Sequence, residues 1–245
     1  MNINNIIKKT INKFGYDLKN IQNQRTSIEQ SYLHLRKLGF KPKTVIDVGV
    51  AKGTPELYSS FPDSFILLIE PLKECEKYLI NILTQYNGTY ILAAAGKNNG
   101  EVVFNVHNSH MEGSSIYKET MGPDQDGYEV KVPIVLIDDI LRDNMINGPY
   151  LIKIDVQGAE LEALEGAKNA LLQSEVVVLE VSLFEFMKGA PQLYDVVSYM
   201  KSHGFVAYDI IHGWNRPLDN ALGQVDIVFV KDKGMFRKDH SYSKT

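Results

Sequence analysis

Cysteine is almost absent from this 245-residue sequence: Cys75 stands alone. That excludes an internal disulfide and any multi-cysteine zinc site, and a reducing, cytoplasmic setting is the expectation. Long hydrophobic runs are also missing. Nowhere do about 18 apolar residues follow one another, and the opening MNINNIIKKTINKFGYDLKN has no apolar stretch ending in a small-residue cleavage site. Neither a membrane span nor a secretion signal is expected. Positive charge is in short supply as well, with 26 Lys and Arg against 30 Asp and Glu, a net charge of −4. A strong basic field for nucleic acid is therefore not expected. Internal repeats and low-complexity segments are lacking. What is present is 44% hydrophobic residues, enough for one large core in a chain of this length.

Three stretches are expected along the chain: a helical extension over residues 1–40, a main domain over 41–234 and a polar tail over 235–245. In the first, Ile3, Ile6, Ile7, Ile11 and Phe14 recur at helical spacing. Ser27, with Gln30 three residues on, predicts a capped helix over 28–38 that ends at Gly39. From Thr44 onward, short β-branched runs alternate with helical stretches: TVIDVGV, FILLIEP, TYILAAAG, LIKIDVQG, VVVLEVS, GFVAYDII and DIVFV. Continuous apolar runs such as VVVLEV suit strands covered on both faces of a parallel sheet. EVVFNVH and EVKVPIVLI, either side of a Gly/Ser/Asp-rich loop, read as an inserted β-hairpin. The fold expected is α/β: a doubly wound, mostly parallel seven-stranded sheet carrying that hairpin and the N-terminal helices.

TVIDVGV runs straight into a small-residue turn, which is how the first βα unit of a nucleotide-binding fold begins. The dinucleotide fingerprint G-x-G-x-x-G is not met, because the spacing is Gly49-x-x-x-Gly53, and no Gly-Lys-Ser/Thr ending makes a P-loop. Asp47 precedes the turn. A carboxylate there repels a pyrophosphate but accepts hydrogen bonds from a cationic amino-acid group or orders the turn. S-adenosylmethionine, with an ammonium, a sulfonium and no phosphate, fits that charge. Glu70, followed by Pro71, closes the second strand where open α/β sheets bind ligands, and is the expected acceptor for a ribose diol. Its alternative reading is a carboxylate favoured by the dipole of a following helix. Ala94, in the small-residue run 93–96, offers a flat backbone surface for adenine, or lets a helix pack closely.

These residues resemble the FkbM-type methyltransferases over about residues 40–230. The resemblance is carried by LGFKPKTVIDVGVAKG, FPDSFILLIEP, the pair Ser114-Ser115 followed by Ile116, VPIVLIDDIL and, most specifically, LIKIDVQGAELEALEGA. Gln157 stands where that family usually has glutamate, Ala163 where valine is common, and Val50 where alanine usually follows the first glycine. The resemblance implies a class I, Rossmann-like methyltransferase fold and S-adenosylmethionine as methyl donor. It also implies O-methylation of hydroxyl groups on sugars, glycans or specialised metabolites. Cofactor contacts are then expected from Asp47, Gly49, Val50, Gly53, Glu70, Pro71, Ala94, Ser115 and Asp155. The acceptor is a small molecule or glycan, and a homodimer is compatible with the sequence.

Transfer of a methyl to a hydroxyl oxygen needs the two held in line and a base for the proton. Asp155 ends the strand LIKI, and Glu160 lies five residues on. Together they are expected to frame the site. Their alternative roles are structural, as a helix cap and a first-turn carboxylate. Lys153, two residues before Asp155, shares its sheet face and is either an ion partner, a base or a positioning donor. Glu180 ends the next strand and is the fourth catalytic candidate. Three acids, Asp155, Glu160 and Glu180, raise the option of a divalent cation, but no tight ligand spacing supports one and no metal is predicted. Two rival readings stay open: a nicotinamide-dependent oxidoreductase, and a catalytically silent ligand-binding or assembly protein.

Overall fold

The computed structural model describes residues 3–14, 25–108, 110–122 and 127–243; Ser109 and the side chains of residues 3–6 and His212 lie outside the described residues. The strands are Thr44–Val48 (β1), Phe65–Ile69 (β2), Gly88–Ile91 (β3), Ala94–Ala95 (β4), Gly100–Val106 (β5), Tyr128–Val135 (β6), Tyr150–Ile154 (β7), Ser174–Ser182 (β8), Phe205–Asn215 (β9) and Leu222–Lys231 (β10). The helices are Ile3–Asn12 (α1), Ile28–Lys37 (α2), Pro55–Ser60 (α3), Glu76–Leu83 (α4), Ile137–Asp143 (α5), Glu160–Glu165 (α6), Lys168–Leu172 (α7) and Leu193–Ser202 (α8).

Among the described residues, seven strands make the main sheet in the order β3-β2-β1-β7-β8-β10-β9. All pairings from β3 to β8 are parallel, and β10 runs antiparallel to both β8 and β9. Chain order reverses between β1 and β7, so the crevice of this doubly wound sheet opens at their carboxyl ends. Leu57, Tyr58, Leu79 and Ile82 from α3 and α4 cover one face, and Ile137, Ala163, Leu171 and Met200 from α5, α6, α7 and α8 cover the other. Such two-sided burial is why the strand sequences read as unbroken apolar runs.

The inserted hairpin, β5 with β6, is antiparallel as expected. It has a third strand: TYILAAAG does not continue as one strand, and Ala94–Ala95 leave the main sheet to pair with β6. That exchange brings the hairpin over the crevice. α2 starts at its expected cap, with Gln30 N donating to Ser27 Oγ at 3.3 Å. Gln30 itself reaches back one residue further than a capping box requires, accepting from Thr26 N at 2.7 Å.

Aromatic packing crosses both expected divisions of the chain. Tyr32 of α2 sits edge-on to Phe61 at 6.1 Å, and Phe40 meets Phe61 at 5.8 Å and Phe236 at 5.7 Å. The N-terminal helix α2 and the turn Met235–Arg237 are thereby part of the core on that face. No helix of the described residues is long and apolar enough to cross a membrane.

Candidate active site

The turn after β1 is built on backbone. Gly49 has φ +77, and a Cβ there would lie 1.8 Å from the Asp155 carbonyl oxygen. The strand ends of β1 and β7 therefore touch only because this residue has no side chain. At Gly53, φ +108, a Cβ would come 2.8 Å from Ile82 Cδ1. Between them Ala51 is left-handed at φ +47. Its N–H donates to Glu70 Oε2 at 2.8 Å, while Leu72 N donates to Glu70 Oε1 at 2.9 Å. Burial raises the Glu70 pKa and these two N–H bonds pull it back in part.

Beside Glu70 lies a small chamber. Pro71, Leu72, Cys75 and Ala94 form one side, and Phe104, Met111 and Ile116 of the insertion close the other. Gly49, Ala51 and Asp155 connect it to a second cavity of about 1170 Å³ that runs over the ends of β7, β8 and β10. Val50 and Gly53 line the larger one. Trp214, stacked on Phe186 at 5.2 Å, and Arg216, 3.9 Å above the Phe184 ring, make its aromatic wall.

The four catalytic candidates do not share one place. Asp155 faces both cavities, with Lys153 Nζ donating to its Oδ2 at 3.2 Å and Gln157 Nε2 to its Oδ1 at 3.0 Å. Glu180 faces the larger cavity, accepting from Gln157 at 2.6 Å and Gln224 at 2.9 Å. Burial, then the neighbouring Asp155, raises its pKa far above the ordinary carboxylate range. Lys153 is also 3.6 Å from Asp47. Burial acts to lower the lysine pKa, but Asp155 and Asp47 outweigh it and the net shift is upward. The lysine stays an ammonium, which removes the base from its options and leaves ion partner and donor.

Glu160 is buried and turns away from both cavities. Its Oε1 accepts from Gly158 N at 3.0 Å and Val156 N at 3.4 Å, so it ties the loop between β7 and α6 from behind. Burial pushes its pKa up to about 7, against the opposing pull of the N–H groups. Because α6 begins only at Glu160 itself, its side chain is spent on the N–H groups of the preceding loop and lines neither cavity.

Two expected cofactor contacts also sit behind the surface. Asp47 is fully buried and accepts from Thr54 Oγ1 at 3.0 Å and from the Tyr58 hydroxyl, thereby bracing the glycine turn. Ser115 donates to the Gln157 carbonyl at 2.8 Å and accepts from Tyr117 N at 3.0 Å; its neighbour Ser114 is the one on the chamber wall. Sequence reasoning did not reach Gln224, Asp226, Tyr32, Phe104 or Met111. The alternation Gln224-x-Asp226 in an otherwise apolar strand was a usable signal, and Asp226 lies directly opposite Glu180. Burial raises the Asp226 pKa to about 6. Phe104 and Met111 carry no local sign of their role, since only the fold of the insertion brings them over Glu70. Among the described residues no group of three or more His, Cys, Asp or Glu side chains is arranged to hold a metal ion.

The residues fit S-adenosylmethionine. An apolar chamber with a carboxylate at its mouth suits adenosine, the glycine turn admits a close ligand, and acidic groups beyond it suit a sulfonium. The sequence matches the methyltransferase FkbM domain over residues 47–207. No curated protein matches it. Among solved structures it is similar to a methyltransferase FkbM from Methylobacillus flagellatus, with 20% identity and a TM-score of 0.48, over 76% of this chain and 43% of that one. It is also similar to a precorrin-6y C5,15-methyltransferase from Geobacter metallireducens, with 12% identity and a TM-score of 0.45, over 83% and 85% of the two chains. A third is a magnesium protoporphyrin IX methyltransferase from Synechocystis with bound SAM, at 10% identity and a TM-score of 0.43, over 94% and 98%. The chain spans less than half the length of the first of these proteins. The domain match takes in well over half of the sequence, including the glycine turn, Glu70 and the loop after β7: the chain belongs to the FkbM family of S-adenosylmethionine-dependent methyltransferases.

Proposed function

We propose that this chain transfers a methyl group to a hydroxyl of a sugar, glycan or other polyhydroxylated metabolite, in the cytoplasm, with Asp155 as the base. The observation that carries this reading is the position of Asp155 where the small chamber meets the large cavity. In this reading Gly49, Val50 and Gly53 bring backbone close to the methionine part of the donor. Glu70 takes the ribose diol, and Pro71 and Ala94 flank the adenine. Asp47 and Ser115 act one layer back, by bracing the turn and the β7 loop.

When bound, the cofactor supplies a methyl group on a positively charged sulfur, and giving it up leaves S-adenosylhomocysteine. The chain's own part is to hold the acceptor oxygen in line and take its proton onto the Asp155 carboxylate as the O–C bond forms. Lys153 keeps Asp155 oriented through its 3.2 Å contact. Trp214 and Phe186 offer a ring-sized apolar face to a sugar, and the acids and amides below offer partners for its hydroxyls. The acidic floor disfavours an anionic acceptor.

Incubation with methyl-labelled S-adenosylmethionine and a panel of neutral and anionic sugars, glycans and polyketides tests this, with products identified by mass spectrometry. A labelled methyl ether on a neutral polyol is the expected product. Label found only on nitrogen or carbon would sink the O-methylation reading while leaving the cofactor site intact.

A further inference from the structure

Asp155 and Glu180 pose a charge problem. They end adjacent parallel strands, their carboxyl groups meet across one cavity, and Asp226 sits opposite Glu180 on β10. Two carboxylates at hydrogen-bonding range do not both stay ionised in a partly buried site. The facing charges do not resolve this. Lys153 of β7 is divided between Asp47 and Asp155, while Asp226 of β10, Glu160 of α6 and Glu56 of α3 add only further acid.

What joins the two acids is a neutral amide. Gln157 Nε2 donates to Asp155 Oδ1 at 3.0 Å and to Glu180 Oε2 at 2.6 Å. A terminal amide nitrogen has two N–H groups, and here each serves a different carboxyl group. The backbone is bent to allow it: Gln157 has φ +53, a left-handed conformation unfavourable for a residue with a side chain. Its carbonyl is fixed by the Ser115 hydroxyl. Gln224 gives Glu180 Oε2 a second N–H at 2.9 Å and itself accepts from the Trp214 indole. Hydrogen bonds thus run from the aromatic wall to Asp155 without a break.

We propose that Gln157 is a positioning residue that holds Asp155 and Glu180 as one pair with a single negative charge, the proton on Glu180 and the charge on Asp155. The proposal rests on reading Asp155 as the base of the reaction. A base has to enter the reaction as an anion; the amide holds the two carboxyl groups together, and the Lys153 ammonium, 3.2 Å from Asp155, keeps the anion on the acid nearer the donor chamber. Burial of Glu180 acts in the same direction. A glutamate at 157 has no N–H to give. It would set a third carboxyl group between two others, and the cluster would have to take up a further proton.

Thermal unfolding of the full chain and its Gln157→Glu and Gln157→Met variants between pH 5 and pH 8 tests the clamp. A carboxyl group added at 157 has a raised pKa in the folded state, so its penalty is absent below the unfolded pKa of about 4, small at pH 5, and grows as the pH rises. Gln157→Glu is expected to melt within about 2 °C of the parent at pH 5 and roughly 5 °C or more below it at pH 8. Gln157→Met removes both donors without adding charge, and is expected to show a loss that grows in the same direction at about half the size. A role confined to shaping the loop gives losses that do not depend on pH. Equal losses at pH 5 and pH 8 overturn the proposal, and should the glutamate variant not fold, the methionine variant carries the same comparison. No methyl transfer is measured, so failure here leaves Asp155 as the base, whereas failure of that reading shows separately, as unchanged methyl transfer in Asp155→Asn.

Discussion

The small chamber and the large cavity meet at Asp155 but are made in different ways. One side of the chamber is lined by residues that directly follow strands β1, β2 and β3, the insertion closes the other, and Glu70 at its edge is held by backbone N–H groups. The large cavity draws on α2, β8, β10 and the segments around 184–187 and 214–218, and its character comes from side chains. One compartment recognises through backbone and shape, which many sequences can supply. The other recognises through charge, amides and aromatic rings, which few can.

Substitutions in each compartment should separate. The largest effect is expected of Asp155→Asn: methyl transfer falls roughly 10³-fold, the range for loss of a general base, while S-adenosylhomocysteine affinity by calorimetry changes less than about threefold. Comparable losses of both would merge the two compartments into one. Next is Gly49→Ala, where a methyl group must enter the 1.8 Å gap to the Asp155 carbonyl in a left-handed residue. Thermal unfolding should show a loss of about 3 kcal/mol, together with weakened S-adenosylhomocysteine binding.

Trp214→Ala comes third, with an acceptor KM about tenfold higher and cofactor affinity unchanged. A change in cofactor affinity instead would place the indole in the wrong compartment. The smallest effect on transfer is at Glu160, which serves neither cavity. Its folded pKa of about 7 is above the unfolded value, so the stability it contributes is full below the unfolded pKa and is lost as pH rises through about 7. Glu160→Gln keeps an acceptor oxygen for Gly158 and Val156. It should lie within about 1 kcal/mol of the parent near pH 5, gain roughly 2 kcal/mol more at pH 8.5 in denaturant titrations, and retain transfer.

The chamber was the legible half for a physical reason. Gly49, Glu70, Pro71 and Ala94 lie at or just beyond strand ends, and short apolar runs with abrupt small-residue turns announce such places in sequence. What failed was direction. Asp47 and Ser115 each neighbour a residue of the chamber wall but point inward, and Glu160 turns back onto its own loop because α6 begins only at that residue. Alternation along a strand tells which face a residue takes, but not whether a loop residue faces a ligand or the amides behind it. The cavity was legible only in pieces. Trp214 and Arg216 are conspicuous by type, whereas Gln224 and Gln157 gain their meaning from β8, β10 and the β7 loop lying side by side.

Cys75 closes one wall of the chamber with its sulfur 3.6 Å from that of Met111, fully buried, and burial pushes its thiol up to about 12. At neutral pH it is protonated and shielded, and only an accessible thiolate attacks a maleimide. The native chain therefore offers a silent background to maleimide chemistry. A cysteine placed at Leu218, which is 83% exposed on the rim of the large cavity, would take a fluorophore alone, and that dye would report acceptor entry without a known product to assay.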